Sequence, residues 1–289
     1  NDIGQIGGGK TNRTGRIDVA VLQSLHQKQE VKDFVADYGH VIVDECHHLS
    51  AVTFEKVMRE VKARYVVGLT ATPSRKDGHH PIIYMQCGPI RYRLSTRTMT
   101  AATPYEHVVI PRPTDFLMRG AAGDITIQDV YADLVSNESR NDMIAGDLVR
   151  AVEAGRSPLL LTGRTEHLSV LASKLSGLVR NVFVLKGGLG RKQRKAIAEQ
   201  LAAVGETDQR VILATGSYIG EGFDDARLDT LFLATPISWR GTLQQYVGRL
   251  HRLHDNKRVV EVYDYVDGNV RMLVRMYERR LKGYSDMGY

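Results

Sequence analysis

The stretch Val41-Ile42-Val43-Asp44-Glu45-Cys46-His47-His48 decides the fold class of this chain. An apolar run closes on two adjacent carboxylates. Such a run reads as a buried strand of a parallel sheet. Ligands of parallel sheets gather at the carboxyl ends of the strands. One carboxylate there suits Mg²⁺ and the other suits a water to be polarised, which is the equipment of a nucleoside triphosphatase. Far downstream stands Gln245-Tyr246-Val247-Gly248-Arg249-Leu250-His251-Arg252. Its spacing places Gln245, Arg249 and Arg252 near one face of a helix. Two arginines on that face could reach a triphosphate across a cleft.

With 289 residues the chain has room for about two domains. An apolar content of 43% and a charged content of 25% describe an ordinary globular protein. No apolar stretch approaches the roughly 20 residues of a membrane span. The opening residues Asn1-Asp2-Ile3-Gly4 show neither the charged nor the apolar region of a signal peptide. Two cysteines, Cys46 and Cys87, form no disulfide framework and fit a reducing cytoplasm. A formal charge of +6 permits nucleic-acid binding without establishing it.

The pattern along the chain alternates strand and helix. Strands are expected over 16–22, 40–43 and 64–69, with helices over 27–38 and 50–61. Residues 81–94 carry strand-like apolar positions. Residues 96–116 are rich in Thr and Pro with weak periodicity, which marks a domain boundary. A helical stretch is expected over 126–154. Strands follow at 158–161, 181–185, 211–214, 230–234 and 259–265. Helices are expected near 166–175, 191–204 and 241–253, and a last helix over 270–281 carries basic residues on its exposed face. This order implies a parallel, doubly wound sheet with right-handed crossovers.

Four motifs, in order, carry a resemblance to a known family. Asp44-Glu45-Cys46-His47 resembles the Walker B box of superfamily 2 helicases and translocases. Thr70-Ala71-Thr72 before Pro73 resembles the third motif of that superfamily. Gly220-Glu221-Gly222-Phe223-Asp224 resembles the fifth, and Gln245 through Arg252 the sixth. Within the superfamily the chain is most similar to the XPB-type and restriction-motor branch. The matching Arg75-Lys76-Asp77 has Lys where XPB proteins have Glu, so the acidic centre of that triad is lost.

The resemblance implies two RecA-like parallel-sheet domains of the α/β class, the first incomplete at its N-terminus. The first domain then covers 1–100, a linker 101–125, and the second domain 126–289. The implied activity is that of an ATP-dependent helicase or translocase on nucleic acid, DNA before RNA, with ATP and Mg²⁺ as cofactors. Asp44 would orient Mg²⁺ and Glu45 would act as general base. His47 would link the ATP site to the second domain through Gln245, and Thr70 and Thr72 would couple hydrolysis to domain movement. Gly220, Gly222 and Asp224 would approach the nucleotide, Asp224 bonding a ribose hydroxyl or an arginine finger. Arg249 and Arg252 are the fingers. Gln23 and Ser24, Thr162 and Arg164, and Thr215 and Gly216 stand at strand ends suited to phosphate contacts. A motor piece of a restriction or defence complex and a non-catalytic nucleic-acid-binding module are the alternative readings.

Gly4-Gln5-Ile6-Gly7-Gly8-Gly9-Lys10-Thr11 matches the P-loop pattern letter for letter. A P-loop follows a buried strand and opens a helix whose N-terminus faces the phosphates. Here a turn, Asn12-Arg13-Thr14-Gly15-Arg16, and then a strand follow. Lys10 also lies too near Asp44 to leave room for the strand-helix units of a RecA-like domain. The segment therefore reads as a glycine-rich surface loop. The true P-loop is expected upstream of Asn1 or from a partner subunit, and this chain as a fragment of a larger motor.

Overall fold

The structure is a computed structural model that describes residues 2–27, 30–46, 51–70, 80–94, 100, 103–119, 125–220, 223–237 and 240–289. It divides into two compact units, Asn1–Arg93 and Leu94–Tyr289.

The first unit opens with β1 (Ile3–Gly7), β2 (Lys10–Asn12) and β3 (Ile17–Ala20). β1 pairs antiparallel with β2 and parallel with β3. The short helix α1 (Leu22–Leu25) follows. The helix expected over 27–38 is absent. In its place stand a minimal antiparallel pair, β4 (His26–Gln27) with β5 (Glu30–Val31), and a 3-10 turn, Asp33–Asp37. Val35 is the buried side chain of that turn, too little apolar surface to seat a full amphipathic helix. Then come β6 (His40–Val43), α2 (Ala51–Glu60), β7 (Tyr65–Gly68) and α3 (His80–Cys87). β6 and β7 pair in parallel, His40 opposite Tyr65 and Val43 opposite Gly68. The strand expected over 81–94 is instead α3. Pro81 sits in the helix's first turn, where a missing N–H costs nothing.

The second unit holds a six-stranded parallel sheet in the order β10-β11-β9-β12-β13-β8. Its strands are β8 (Glu106–Pro113), β9 (Pro158–Thr162), β10 (Val182–Leu185), β11 (Val211–Thr215), β12 (Thr230–Leu233) and β13 (Val259–Val266). β8 lies inside the stretch 101–125 expected as a linker and pairs along β13. Its mix of exposed and half-buried positions suits an edge strand, and Glu106, His107, Pro111 and Pro113 weaken the strand signal in sequence.

The helices are α4 (Ile127–Ser136), α5 (Glu138–Glu153), α6 (Thr165–Leu175), α7 (Arg191–Ala203), α8 (Gly216–Gly220), α9 (Arg240–Gly248) and α10 (Arg271–Met287). The helical stretch expected over 126–154 is two helices. Thr126 and Asp129 form a capping box at the start of α4, and Asn137 caps α5 through the Arg140 amide at 2.9 Å.

Alternate residues of β9, β11 and β12 face opposite sides of the sheet. Leu159, Ile212 and Leu231 pack with Leu243 and Val247 of α9 and Tyr284 of α10. Leu160, Leu213 and Phe232 pack with Leu148 of α5 and Leu168 and Leu171 of α6. Both faces are therefore covered, as a doubly wound sheet requires.

Candidate nucleotide and nucleic-acid site

In the first unit the carboxyl end of β6 delivers Asp44 and Glu45 into a turn. The Leu69 amide donates to the Val43 carbonyl at 2.8 Å, and the Cys46 amide donates to the Leu69 carbonyl at 3.0 Å. These bonds hold the segment leading to Thr70 beside the two carboxylates. Glu45 has φ of 46°, the left-handed region, and is the one non-glycine residue with positive φ among those described. A left-handed glutamate is uncommon and costs backbone energy, a kind of strain that clusters at functional sites. The Glu45 amide also donates to Asp44 Oδ1 at 2.9 Å. Asp44 is exposed and Glu45 half-buried.

The Val41–Val43 run, expected as buried, alternates half-buried and exposed positions, and Ile42 is 61% exposed. β6 has one partner strand among the described residues, so its outer face lacks the cover that the second sheet enjoys. His47 and Thr72 lie outside the described residues.

An Mg²⁺ ion fits the donor set of Asp44. Mg²⁺ prefers hard oxygen ligands, keeps several waters and takes one or two carboxylates. An exposed carboxylate with one oxygen fixed by the Glu45 amide supplies that chemistry. Among the described residues no group of three His, Cys, Asp or Glu side chains could hold a metal by itself.

Gly4–Thr11 forms a tight hairpin, with Ile6 opposite Thr11 and Gly7 opposite Lys10. Gly8 and Gly9 take φ of 61° and 82°, the left-handed pair of a two-residue hairpin turn. Lys10 therefore sits in an exposed strand, and the segment is neither the P-loop of its letter pattern nor the plain loop expected from sequence. The hairpin packs beside α1, which carries Gln23 and Ser24. A Cβ added at Gly7 would meet the Val21 side chain at 2.8 Å and Ser24 Oγ at 3.1 Å.

In the second unit the parallel register brings Thr162 and Thr215 opposite one another at the carboxyl ends of β9 and β11. Arg164 and Gly216 follow at the same edge of the sheet. Thr162, however, is 2% exposed and its hydroxyl is engaged. It accepts from the Arg164 amide at 3.2 Å and contacts His167 Nδ1 at 3.1 Å. His167 Nε2 in turn meets Asn141 Oδ1 at 2.9 Å. Burial, aided by the charge of Arg140, lowers the His167 pKa to about 3. Thr162 thus shapes the loop, while Arg164 is left at the surface, bonded to Gln128 and lying over the Tyr131 ring at 5.8 Å.

The segment expected as one helix with Gln245, Arg249 and Arg252 on a common face is not one helix. α9 ends at Gly248, Arg249–His251 is a 3-10 turn, and Arg252 is extended with φ of −64° and ψ of 133°. Gly248 carries no side chain to favour the α form at that junction. Gln245 is half-buried in α9. Arg249 Nε is buried and meets no acceptor among the described residues. Arg252 Nε donates to Asp224 Oδ1 at 3.0 Å, which joins the fifth-motif segment to the sixth. Both side chains of that pair stay half open to solvent. Gly220 ends α8, and Gly222 lies outside the described residues.

Several residues that shape this end of the sheet have no motif signal in sequence. Tyr246 covers Gly216 so closely that a Cβ there would lie 1.7 Å from its hydroxyl. The loop between β12 and α9 has three carbonyls held by side chains from three helices. Arg140 donates to Ala234 at 2.7 Å, Tyr131 to Pro236 at 2.9 Å and Arg280 to Ile237 at 3.0 Å. Arg140 also forms a buried forked pair with Asp267, and Arg280 does the same with Asp264. Sequence spacing cannot reveal such long-range pairs.

The family model for the Type III restriction enzyme res subunit matches residues 1–75. The chain is 28% identical over 279 residues to the putative helicase 161L of Invertebrate iridescent virus 6, covering 93% of this chain and 60% of that protein. It is 35% identical over 98 residues to the DNA 3'-5' translocase XPB2 of Sulfurisphaera tokodaii, covering 34% of this chain and 22% of that one. These matches make the chain similar to helicases and translocases of superfamily 2. The α/β fold of RecA-like domains is borne out by the solved structure of S. cerevisiae Dbp5 bound to RNA and ADP BeF3, with a TM-score of 0.61 at 11% identity over 99% of this chain and 68% of that one. The chain spans about half the length of the curated relatives it matches, 60%, 47% and 56% for the first three.

Proposed function

We propose that this chain is motor machinery of an ATP-dependent helicase or translocase that acts on DNA. The observation that carries the reading is the Arg252–Asp224 contact at 3.0 Å. It joins two motif segments and presents a guanidinium that remains half open to solvent. Such a cation stabilises charge developing on a transferred phosphoryl group. Asp44 would hold Mg²⁺ through water, and the ion supplies charge neutralisation on the phosphate oxygens. Glu45 would hold and deprotonate the attacking water, with Arg249 as second finger. His47, Thr70, Thr72 and Gln245 would couple turnover to movement, and Gly220, Gly222 and Asp224 would border the nucleotide.

Gln23, Ser24, Arg164 and the Thr215-Gly216 turn would contact the phosphate backbone, with Thr162 supporting Arg164 from below. DNA is favoured over RNA because the XPB2 relative is named as a DNA translocase. Among the described residues no strand-loop-helix cradle for the β- and γ-phosphates is present, so another segment or a partner subunit would supply it. Two free cysteines suit a cytoplasmic setting, and no helix among the described residues is long and apolar enough to cross a membrane.

The test is DNA-stimulated ATP hydrolysis by the protein together with the segment or subunit that supplies the phosphate cradle, with RNA of equal length in parallel. Glu45→Gln is expected to abolish turnover while nucleic-acid binding persists. Turnover unchanged in Glu45→Gln sinks the reading. The match to a restriction-enzyme family model favours one second reading, the motor piece of a restriction or defence complex. Co-purification with a nuclease subunit would decide for it.

A further inference from the structure

We infer that Lys257 and Tyr105 are positioning residues that hold the backbone beneath Arg252. This inference rests on the proposed role of Arg252 as an arginine finger. The 3-10 turn Arg249–His251 ends with carbonyls that have no partner within the turn, the usual problem at a helical C-terminus. Here three consecutive carbonyls are held by side chains. Lys257 Nζ donates to the Leu250 carbonyl and to the Arg252 carbonyl, each at 2.7 Å. The Tyr105 hydroxyl donates to the His251 carbonyl between them at 2.6 Å.

Lys257 is 5% exposed and Tyr105 6% exposed. The ammonium also lies 5.5 Å from the Tyr105 ring centroid, so the two donors brace each other. No carboxylate lies within salt-bridge distance of Lys257 among the described residues. Burial lowers its pKa to about 8. A buried lysine without a paired anion is unusual, and its protons here go to the backbone of the motif instead. On the outer side, Asp224 holds the guanidinium of Arg252 at 3.0 Å. The backbone of Arg252 is thus fixed from beneath and its tip from the side. A finger held this way needs no ordering when charge develops on the phosphate, which is what preorganisation means for a charged donor.

A general helix-capping lysine would give stability alone. The two roles separate in measurement. In the full chain, hydrogen exchange over residues 250–254 is expected to quicken about tenfold in Lys257→Met and several-fold in Tyr105→Phe, with β12 and β13 unchanged. Unchanged exchange in both variants overturns the inference. If Lys257→Met does not fold, Tyr105→Phe decides alone, since it keeps the ring and removes one hydrogen bond.

In the ATP-hydrolysing protein each variant should lower kcat with KM within about twofold. Added to Arg252→Ala, each should cause no further loss, because both act through that residue. Quickened exchange with full kcat, where Arg252→Ala itself lowers kcat, also overturns the inference. An Arg252→Ala protein with normal kcat would instead sink the finger reading, and the exchange result would still decide whether the carbonyls are pinned.

Discussion

β9, β11 and β12 of the second unit are buried at every position, whereas β6 and β7 of the first alternate exposed and half-buried residues. The local sequences are alike: short apolar runs, rich in branched residues, that end in a polar motif. What differs is cover. The second sheet has six strands and helices on both faces. Among the described residues the sheet of β6 and β7 has two strands, and its outer side chains, Ile42 and Val67, stand open. An apolar run thus announces a strand and its direction, while its burial depends on neighbours that lie elsewhere in the chain. The loops follow the same division. The segments around Arg252 are held by buried cations, and those around Asp44 by backbone bonds and one strained residue.

The largest effect should come from cutting a buried ion pair in the better-covered unit. Arg140→Met leaves Asp267, 2% exposed, without its cation and frees the Ala234 carbonyl. A loss of about 3–5 kcal/mol in chemical denaturation is expected. Adding Asp267→Leu should recover part of it. A loss under about 1 kcal/mol would mean that the pinned loop owes little to Arg140, and the contrast between the two units would weaken.

Burial itself can be compared residue for residue. Leu160→Ala in β9, at 0% exposure, should cost about 2–5 kcal/mol. Ile42→Ser in β6, at 61% exposure, should stay within about 0.5 kcal/mol. Equal costs would show that the outer face of β6 is covered in solution.

The second unit should also lose stability as the pH falls from 7 to 5. Folding holds the His167 pKa near 3, below its usual 6.5. As pH falls through 6.5 the unfolded chain takes up a proton that the folded chain refuses. Stability is therefore lost below that pH, by roughly 2 kcal/mol at pH 5. His251, held near 4 by burial and by the charges of His107 and Lys257, adds in the same direction. Urea midpoints from pH 7 to 5 measure the slope, and His167→Gln should flatten it.

Much of the second sheet was legible from sequence because its strands are continuous apolar runs, such as Leu159-Leu160-Leu161 and Val211-Ile212-Leu213. β8 was not, since Glu106 and His107 begin a strand that pairs with one neighbour at a sheet edge. Ile82 and Ile83 read as strand in α3, where Pro81 in the first turn was the better signal. At the site, contiguous motifs were visible and their supports were not. Asp44, Glu45, Asp224 and Arg252 announce themselves by spacing. Lys257, Tyr105 and Tyr246 act across the fold, and no local pattern encodes a hydrogen bond from residue 105 to residue 251.

The smallest effect tests the hairpin that mimics a P-loop. In a P-loop Lys10 would hold the β- and γ-phosphates, and its removal would end hydrolysis. In the hairpin it is an exposed strand residue opposite Gly7. In the ATP-hydrolysing protein Lys10→Ala should leave DNA-stimulated turnover within about twofold of the parent, and stability within about 0.5 kcal/mol. Gly9→Ala should cost more than Lys10→Ala, about 1 kcal/mol, because φ of 82° penalises a Cβ even where nothing lies within 4 Å of it. That order, glycine above lysine, is the signature of a turn. A phosphate cradle would give the reverse: the lysine would dominate in activity, and ATP would protect the segment from exchange.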